Sequence, residues 1–374
     1  MIRPSTTAPP QARRKTSAPS QVTAEAARWF LESGIQNPAG GVARYYRTDE
    51  ERLAPVSTEL TGYYASALAC HYRATGDERC LKAARLAGEF LTRTAWDGEL
   101  ATIPFELEPQ GESCAYFFDL GIISRGLLAL WRLTKDQEFL RVAHAAALSM
   151  KRDFGEPPGR QPVTALPSRR PLPGDARWSR NAGCYQLKAA LAWLEAGEAT
   201  GEEAMGGLYE AMLSQAAETE GAFLNSEPSE ERVMDRLHAY CYFLEGLLPR
   251  AADPSCARLL RDGIRKVRSS LDAISASFER CDVLAQLLRL RLFAAALGIA
   301  PLDRDKAREE FLRVCAFQYE SPDPRLRGGF CFGRRHGRLL PFANPAATTF
   351  AMQAINMMCQ FEDGRFAPDF RDLV

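Results

Sequence analysis

The chain has no CxxC pair, no HExxH helix, no GxSxG elbow and no glycine-rich phosphate loop. Zinc-ribbon, zincin, α/β-hydrolase and P-loop chemistries therefore lack their ligands or their cradle. Histidine is scarce, with 4 residues and no close pair, so no metal or other cofactor is expected. Charge of one sign is missing too: Lys plus Arg and Asp plus Glu are 47 each. Binding to a nucleic-acid backbone or an anionic membrane needs a positive excess, so neither partner is expected. No apolar run nears the roughly 18 residues of a membrane span. The basic N-terminal residues Arg3, Arg13, Arg14 and Lys15 precede no apolar segment, so they do not form a secretory signal.

Cysteine is plentiful, at 10 in 374 residues. Cys70, Cys80, Cys241 and Cys359 fall inside helical patterns, as buried reduced thiols do. This predicts a cytoplasmic protein without disulfides. Residues 1–22, rich in Pro, Ser, Thr and Ala, read as a disordered tail, and 23–374 as one domain.

Helical periodicity dominates the remainder. The central stretch, Ser57 to Leu91, is an apolar, aromatic helix, a short turn (ATGD) and a charged amphipathic helix. The stretch from Leu130 to Met150 repeats the turn and its flanks: aligning Thr75 with Thr134 brings the polar turn residues together and both apolar faces into phase. Capping residues, glycines and prolines then mark about twelve helices. They begin near Ala24, Thr58, Glu78, Phe117, Gln137, Ala182, the TGEE turn at 200–203, Met234, Ser255, Asp282, Arg304 and Pro345, the last capped by Asn344. Glu156 to Trp178 carries no periodicity and reads as a long loop.

Short turns alternate with long connections, and apolar helices with amphipathic ones. Six such hairpins closing in a ring make an all-α (α/α)6 toroid, with the apolar helices inside and long rim loops; a linear helical solenoid is the alternative, opposed by the irregular repeats. The helix near Ala24 would be the outer partner of the last one. All inner helices then start at one rim, where unpaired N–H groups converge.

The residues at those starts are the site candidates. Asp119 is an acid inside an apolar run, so it needs a partner or a raised pKa. Asp235 and Asp282 are further carboxylates, and His238 stands one turn after Asp235. Helix caps explain the two aspartates equally well, and the helix dipole explains Glu59. Glu59, Tyr63, Trp178, Arg180, Gln186, Arg236, Tyr240, Arg280 and Asn344 complete a polar and aromatic set suited to a sugar. His336, among Arg334, Arg335 and Arg338, reads as part of a solvated basic loop.

The pattern of helices resembles the six-hairpin glycosidase-like superfamily. FFDLGI around Asp119 is similar to the His-Asp-Leu-Gly-Phe segment of unsaturated glucuronyl hydrolases, with Phe118 in place of the histidine. That resemblance implies an active-site role for Asp119, a second aspartate on another inner helix, and an oligosaccharide substrate that can carry uronic acid. Gln36 with Gly40-Gly41, and Gln318 with Gly328-Gly329, faintly resemble the repeats of terpene cyclases, whose acidic DxDD motif is absent.

The expected activity is glycoside hydrolysis, with Asp119 as general acid and Asp235 or Asp282 as its partner. A lyase or epimerase using His238 or Tyr240, with Arg236 or Arg280 holding the substrate, is the alternative. A toroid that binds a glycan or protein without catalysis is a third reading.

Overall fold

A computed structural model describes residues 19–109, 111–224 and 229–374. It contains twelve α-helices: α1 (Pro19–Glu32), α2 (Thr58–Thr75), α3 (Glu78–Glu89), α4 (Phe117–Thr134), α5 (Gln137–Asp153), α6 (Leu187–Thr200), α7 (Glu203–Phe223), α8 (Glu230–Gly246), α9 (Pro254–Ile274), α10 (Cys281–Ala296), α11 (Arg304–Cys315) and α12 (Pro345–Glu362). The apolar helices α2, α4, α6, α8, α10 and α12 each touch the next, and α12 returns to α2, closing an inner ring. The amphipathic helices α3, α5, α7, α9 and α11 pack outside their hairpin partners, and α1 packs on α12. The fold is thus the expected (α/α)6 toroid. Helices buried nearly all round, such as α10, in which every residue from Cys281 to Leu290 is buried, could form only the inner layer.

The hairpin turns share one mechanism. The hydroxyls of Thr75, Thr134 and Thr200 each bond the carbonyl four residues back, at 2.8 to 2.9 Å. Gly76, Lys135 and Gly201 then take the left-handed conformation that stops the helix. Asp77 and Asp136 cap the helices that follow the first two turns.

The Gln-Gly-Gly segments are structural repeats of a different kind. Gln36 Nε2 bonds Gly40 O and Ala83 O, at 3.1 and 3.0 Å, tying the α1 loop to α3. Gln318 Nε2 bonds Gly328 O and Val22 O, at 3.0 and 2.8 Å, tying the α11 loop to α1. Gly40 (φ 101°) and Gly328 (φ 86°) lie so close to a neighbouring helix that a Cβ would stand 2.2 and 2.1 Å from a backbone oxygen. Packing between adjacent outer helices accounts for both motifs.

Three local expectations change. Helix α1 begins at Pro19, because Val22 is already buried and held by Gln318; the expected tail up to position 18 lies outside the described residues. Beyond α3 the chain continues as π-helical turns, Phe90–Ala95. The stretch from Glu156 to Trp178 is not structureless: Val163–Ala165 pairs antiparallel with Cys114–Tyr116. That pairing brings Pro162 O to Phe117 N, at 2.9 Å, which supplies the start of α4 with the partner its side-chain cap does not.

Short strands gird the rim at which the inner helices start. Val56–Ser57, Cys114–Tyr116, Phe278–Arg280 and Phe342–Ala343 run directly into α2, α4, α10 and α12. Each pairs antiparallel with another rim segment, so the helix N-termini are fixed by backbone hydrogen bonds.

Candidate active site

The inner ring encloses a cup of about 990 Å³, its open mouth included. Glu59 and Tyr63 reach it from α2, Phe118 and Asp119 from α4, His238 and Tyr242 from α8, and Asp282 from α10. Rim loops add Arg44, Phe105, Arg177, Trp178 and Arg280. Of the residues expected from sequence, Glu59, Tyr63, Asp119, Trp178, His238, Arg280, Asp282 and Asn344 line this cup.

Asp119 is buried, and its Oδ2 has no hydrogen-bond partner. Burial, reinforced by the charge of Glu59, holds its pKa well above the ordinary carboxylate value, with Arg44 opposing. Glu59 keeps part of its surface open to the cup, yet protein atoms surround its carboxyl closely enough to push its pKa up to about 7. The two carboxyls share one field: each disfavours ionisation of the other, so the pair holds a proton near neutrality.

His238 faces them from the opposite side of the ring. Its Nδ1 lies 2.7 Å from Gln286 Oε1 and 3.6 Å from Asp282 Oδ2. Both neighbours accept, so Nδ1 carries the hydrogen and Nε2 is the basic nitrogen. Burial lowers the His238 pKa to about 4, which keeps the ring neutral.

Asp282 accepts Arg280 Nε and Nη2, at 2.9 and 2.5 Å, and the N–H of Val283. Despite burial, Arg280 holds its pKa below the ordinary value. Arg280 Nη1 also bonds Asp235 Oδ1 at 2.6 Å. Asp235, Arg280 and Asp282 thus form one ion cluster. Asp282 reaches the cup as an ion already bound, and Asp235 stands behind Arg280, away from the lining.

Four other candidates point elsewhere. Tyr240 is two residues from His238, about half a turn round α8, and donates to Glu220 Oε2 at 2.6 Å. Arg236 lies over the Phe223 ring. Gln186 bonds Gly183 N and Gly159 O, pinning the entry to α6. Arg180 donates to Tyr116 OH at 3.2 Å, just outside the cup.

Tyr242 escaped the sequence reading, although its place four residues after His238 puts it on the same helix face. Its hydroxyl accepts from Tyr63 OH at 2.9 Å, and its ring packs 4.7 Å from Phe118 and 4.6 Å from His238. With Phe350 it forms an aromatic floor. Arg44 also escaped; it sits in a short rim loop with no periodic signal.

Beneath that floor lies a buried ionic layer. Lys188 Nζ, 0% exposed at its side chain, contacts Glu245 Oε2 at 2.8 Å and Val374 O at 2.9 Å. Arg289 bonds Glu245 Oε1 and Gln353 Oε1, both at 2.5 Å. Burial lowers the Lys188 pKa to about 7, with Glu245 opposing. This layer, with the segment Phe366–Val374, stops the end of the ring remote from the cup.

Among the described residues, no helix is long and apolar enough to cross a membrane. No protein-family profile and no curated protein matches the chain. Solved structures do. Cellobiose 2-epimerase from Spirochaeta thermophila superposes with a TM-score of 0.68 at 15% identity, over 91% of this chain and 97% of that one. Unsaturated glucuronyl hydrolase from a Bacillus species gives 0.63 at 16%, over 93% and 98%. An inactive variant of an α-1,6-mannanase of a Salegentibacter species, in complex with α-1,6-mannotetrose, gives 0.56 at 13%, over 90% and 98%. The expected resemblance therefore holds at the level of architecture: the chain has the (α/α)6 toroid fold of the six-hairpin glycosidase-like proteins.

Proposed function

We propose that the protein is a carbohydrate-active enzyme that cleaves a glycosidic bond of an oligosaccharide by general acid/base chemistry. The observation that carries this reading is that two carboxyls, Asp119 and Glu59, line one aromatic cup where burial holds both toward the protonated form. Hydrolysis needs one carboxyl protonated and a second able to ionise. Asp119, the more desolvated of the two, holds the proton and gives it to the leaving oxygen. Glu59, with the lower barrier to ionisation, is the base that draws a proton from the attacking water. Glu59 thus takes the role expected of Asp235 or Asp282, whose charges are already committed to Arg280. Trp178, Phe118 and Tyr242 offer faces for sugar C–H groups. Structural neighbours support the sugar part of this reading alone, since they include sugar epimerases as well as a glucuronyl hydrolase and a mannanase.

Epimerisation is the second reading, favoured by one observation: His238 is neutral, with Nδ1 anchored and Nε2 basic. A neutral imidazole of that kind can take a proton from carbon next to a carbonyl.

Incubation of the purified protein with a panel of oligosaccharides separates these readings. Hydrolysis releases new reducing ends without an ultraviolet-absorbing double bond. Epimerisation in deuterated water places deuterium on the sugar without new reducing ends, and elimination produces the absorbing bond. Asp119→Asn should slow hydrolysis by a factor of about 100 or more. Unchanged turnover in that variant would remove Asp119 from the chemistry.

A further inference from the structure

We infer that the sugar lodged in the cup is one without an acidic group, a discrimination built from arginines that are already committed. The inference rests on the reading of the cup as a sugar site, and it departs from the uronic acid that the sequence resemblance suggests. A uronate-binding site needs a cation whose hydrogen bonds are free for the ligand carboxylate. Among the described residues three arginines line the cup, and each holds a protein carboxylate instead. Arg44 Nη2 bonds Glu106 Oε1 at 2.6 Å. Arg280 is bidentate to Asp282 and bonds Asp235. Arg177 grips Asp175 through Nε and Nη2. Arg180, just outside, leans on the same Asp175 at 3.8 Å.

The positive charge around the mouth is therefore already matched by protein carboxylates. Glu59, Asp119 and Asp282 line the cup, and Glu106, Asp175 and Asp235 stand behind the arginines. Among these residues six carboxyls stand with four arginines, so each arginine already has a carboxylate beside it. An entering carboxylate would shed water in exchange for arginines that already hold protein carboxylates, and it would meet like charge at Asp282 and at ionised Glu59. An uncharged sugar meets none of this. Its hydroxyls can donate to the unpartnered Asp119 Oδ2 and to Glu59, and its C–H faces can lie on Trp178, Phe118 and Tyr242. Each arginine's charge is thus paired within the protein, so specificity comes from rejecting the charged analogue.

The test uses the full chain and matched disaccharides that differ only at C6, glucosyl against glucuronosyl, over several linkages, with binding measured by calorimetry. Glucosyl ligands should bind at least tenfold tighter than their glucuronosyl counterparts. Glu106→Gln frees Arg44, and Asp175→Asn frees Arg177 on the exposed rim; at least one should gain tenfold or more in glucuronosyl affinity while its circular dichroism matches the wild type. Equal or tighter glucuronosyl binding by the wild type would overturn the inference and leave the hydrolase reading standing. A preserved preference with no gain in either folded variant would also overturn it, since the committed arginines would not be its cause. Failure of every sugar, charged or not, to bind or react would remove the sugar-site reading itself, and this inference with it.

Discussion

The carboxyl pair predicts a specific dependence of stability on pH. Glu59 titrates near 4.5 when exposed and near 7 in the folded chain. Its folded pKa is raised, so between those values the folded state binds more protons than the unfolded state. Stability must then fall as pH rises. The shift spans about 2.5 pH units, and at about 1.4 kcal/mol per unit the loss is about 3 kcal/mol. For a chain of this length it corresponds to a drop in Tm of roughly 4 °C. Glu59→Gln removes that loss. It removes part of the Asp119 loss as well, because the charge of Glu59 helps to raise the Asp119 pKa. The assay is denaturant unfolding of both proteins at pH 4.5 and pH 8. Wild type should lose about 3 kcal/mol more than Glu59→Gln between these conditions, and the variant should be the more stable protein at pH 8. Parallel pH slopes would refute the argument, because they would mean that Glu59 ionises as easily in the cup as in water.

Activity should rise as pH rises through about 7, where Glu59 ionises and becomes the base while Asp119 keeps its proton, and a profile flat from pH 5 to pH 8 would exclude Glu59 from that role. Lys188→Ala strips Glu245 of one buried partner and Val374 O of its donor, so unfolding free energy should fall by about 3 to 5 kcal/mol, read by urea titration. Gly328→Ala would place a Cβ 2.1 Å from Glu25 O at a positive φ, and should cost about 3 kcal/mol by the same assay, whereas Gly337→Ala, where a Cβ meets no atom, should cost only its backbone strain of about 1 kcal/mol.

Helix types were legible in the sequence because they depend on period. The apolar, aromatic run from Thr58 and the charged run from Glu78 can bury their faces in only one order, inner then outer. Caps such as Asp77, Asp136 and Asn344 act on N–H groups two or three residues away, so local sequence suffices to find them. Asp119 could be found for a related reason: an acid within FFDLGI is anomalous wherever the helix packs.

Pairing across the ring was not legible. Glu59 and Asp119 are 60 residues apart in the chain, and only the contact between α2 and α4 lets one charge raise the pKa of the other. Asp235 and Asp282 read in sequence as helix caps or catalytic carboxylates; their capture by Arg280 depends on α8 and the Phe278–Arg280 strand meeting at the rim. Trp178 lies in a segment without periodicity, and the pairing of Val163–Ala165 with Cys114–Tyr116 holds the start of that segment at the rim. Sequence alone thus determined the hairpins, their inner and outer layers and one anomalous acid, because these follow from short-range periodicity and capping. Tertiary structure decided which charges neutralise one another and which are left to act, because Coulomb and desolvation energies depend on distance and burial in the closed ring, not on separation along the chain.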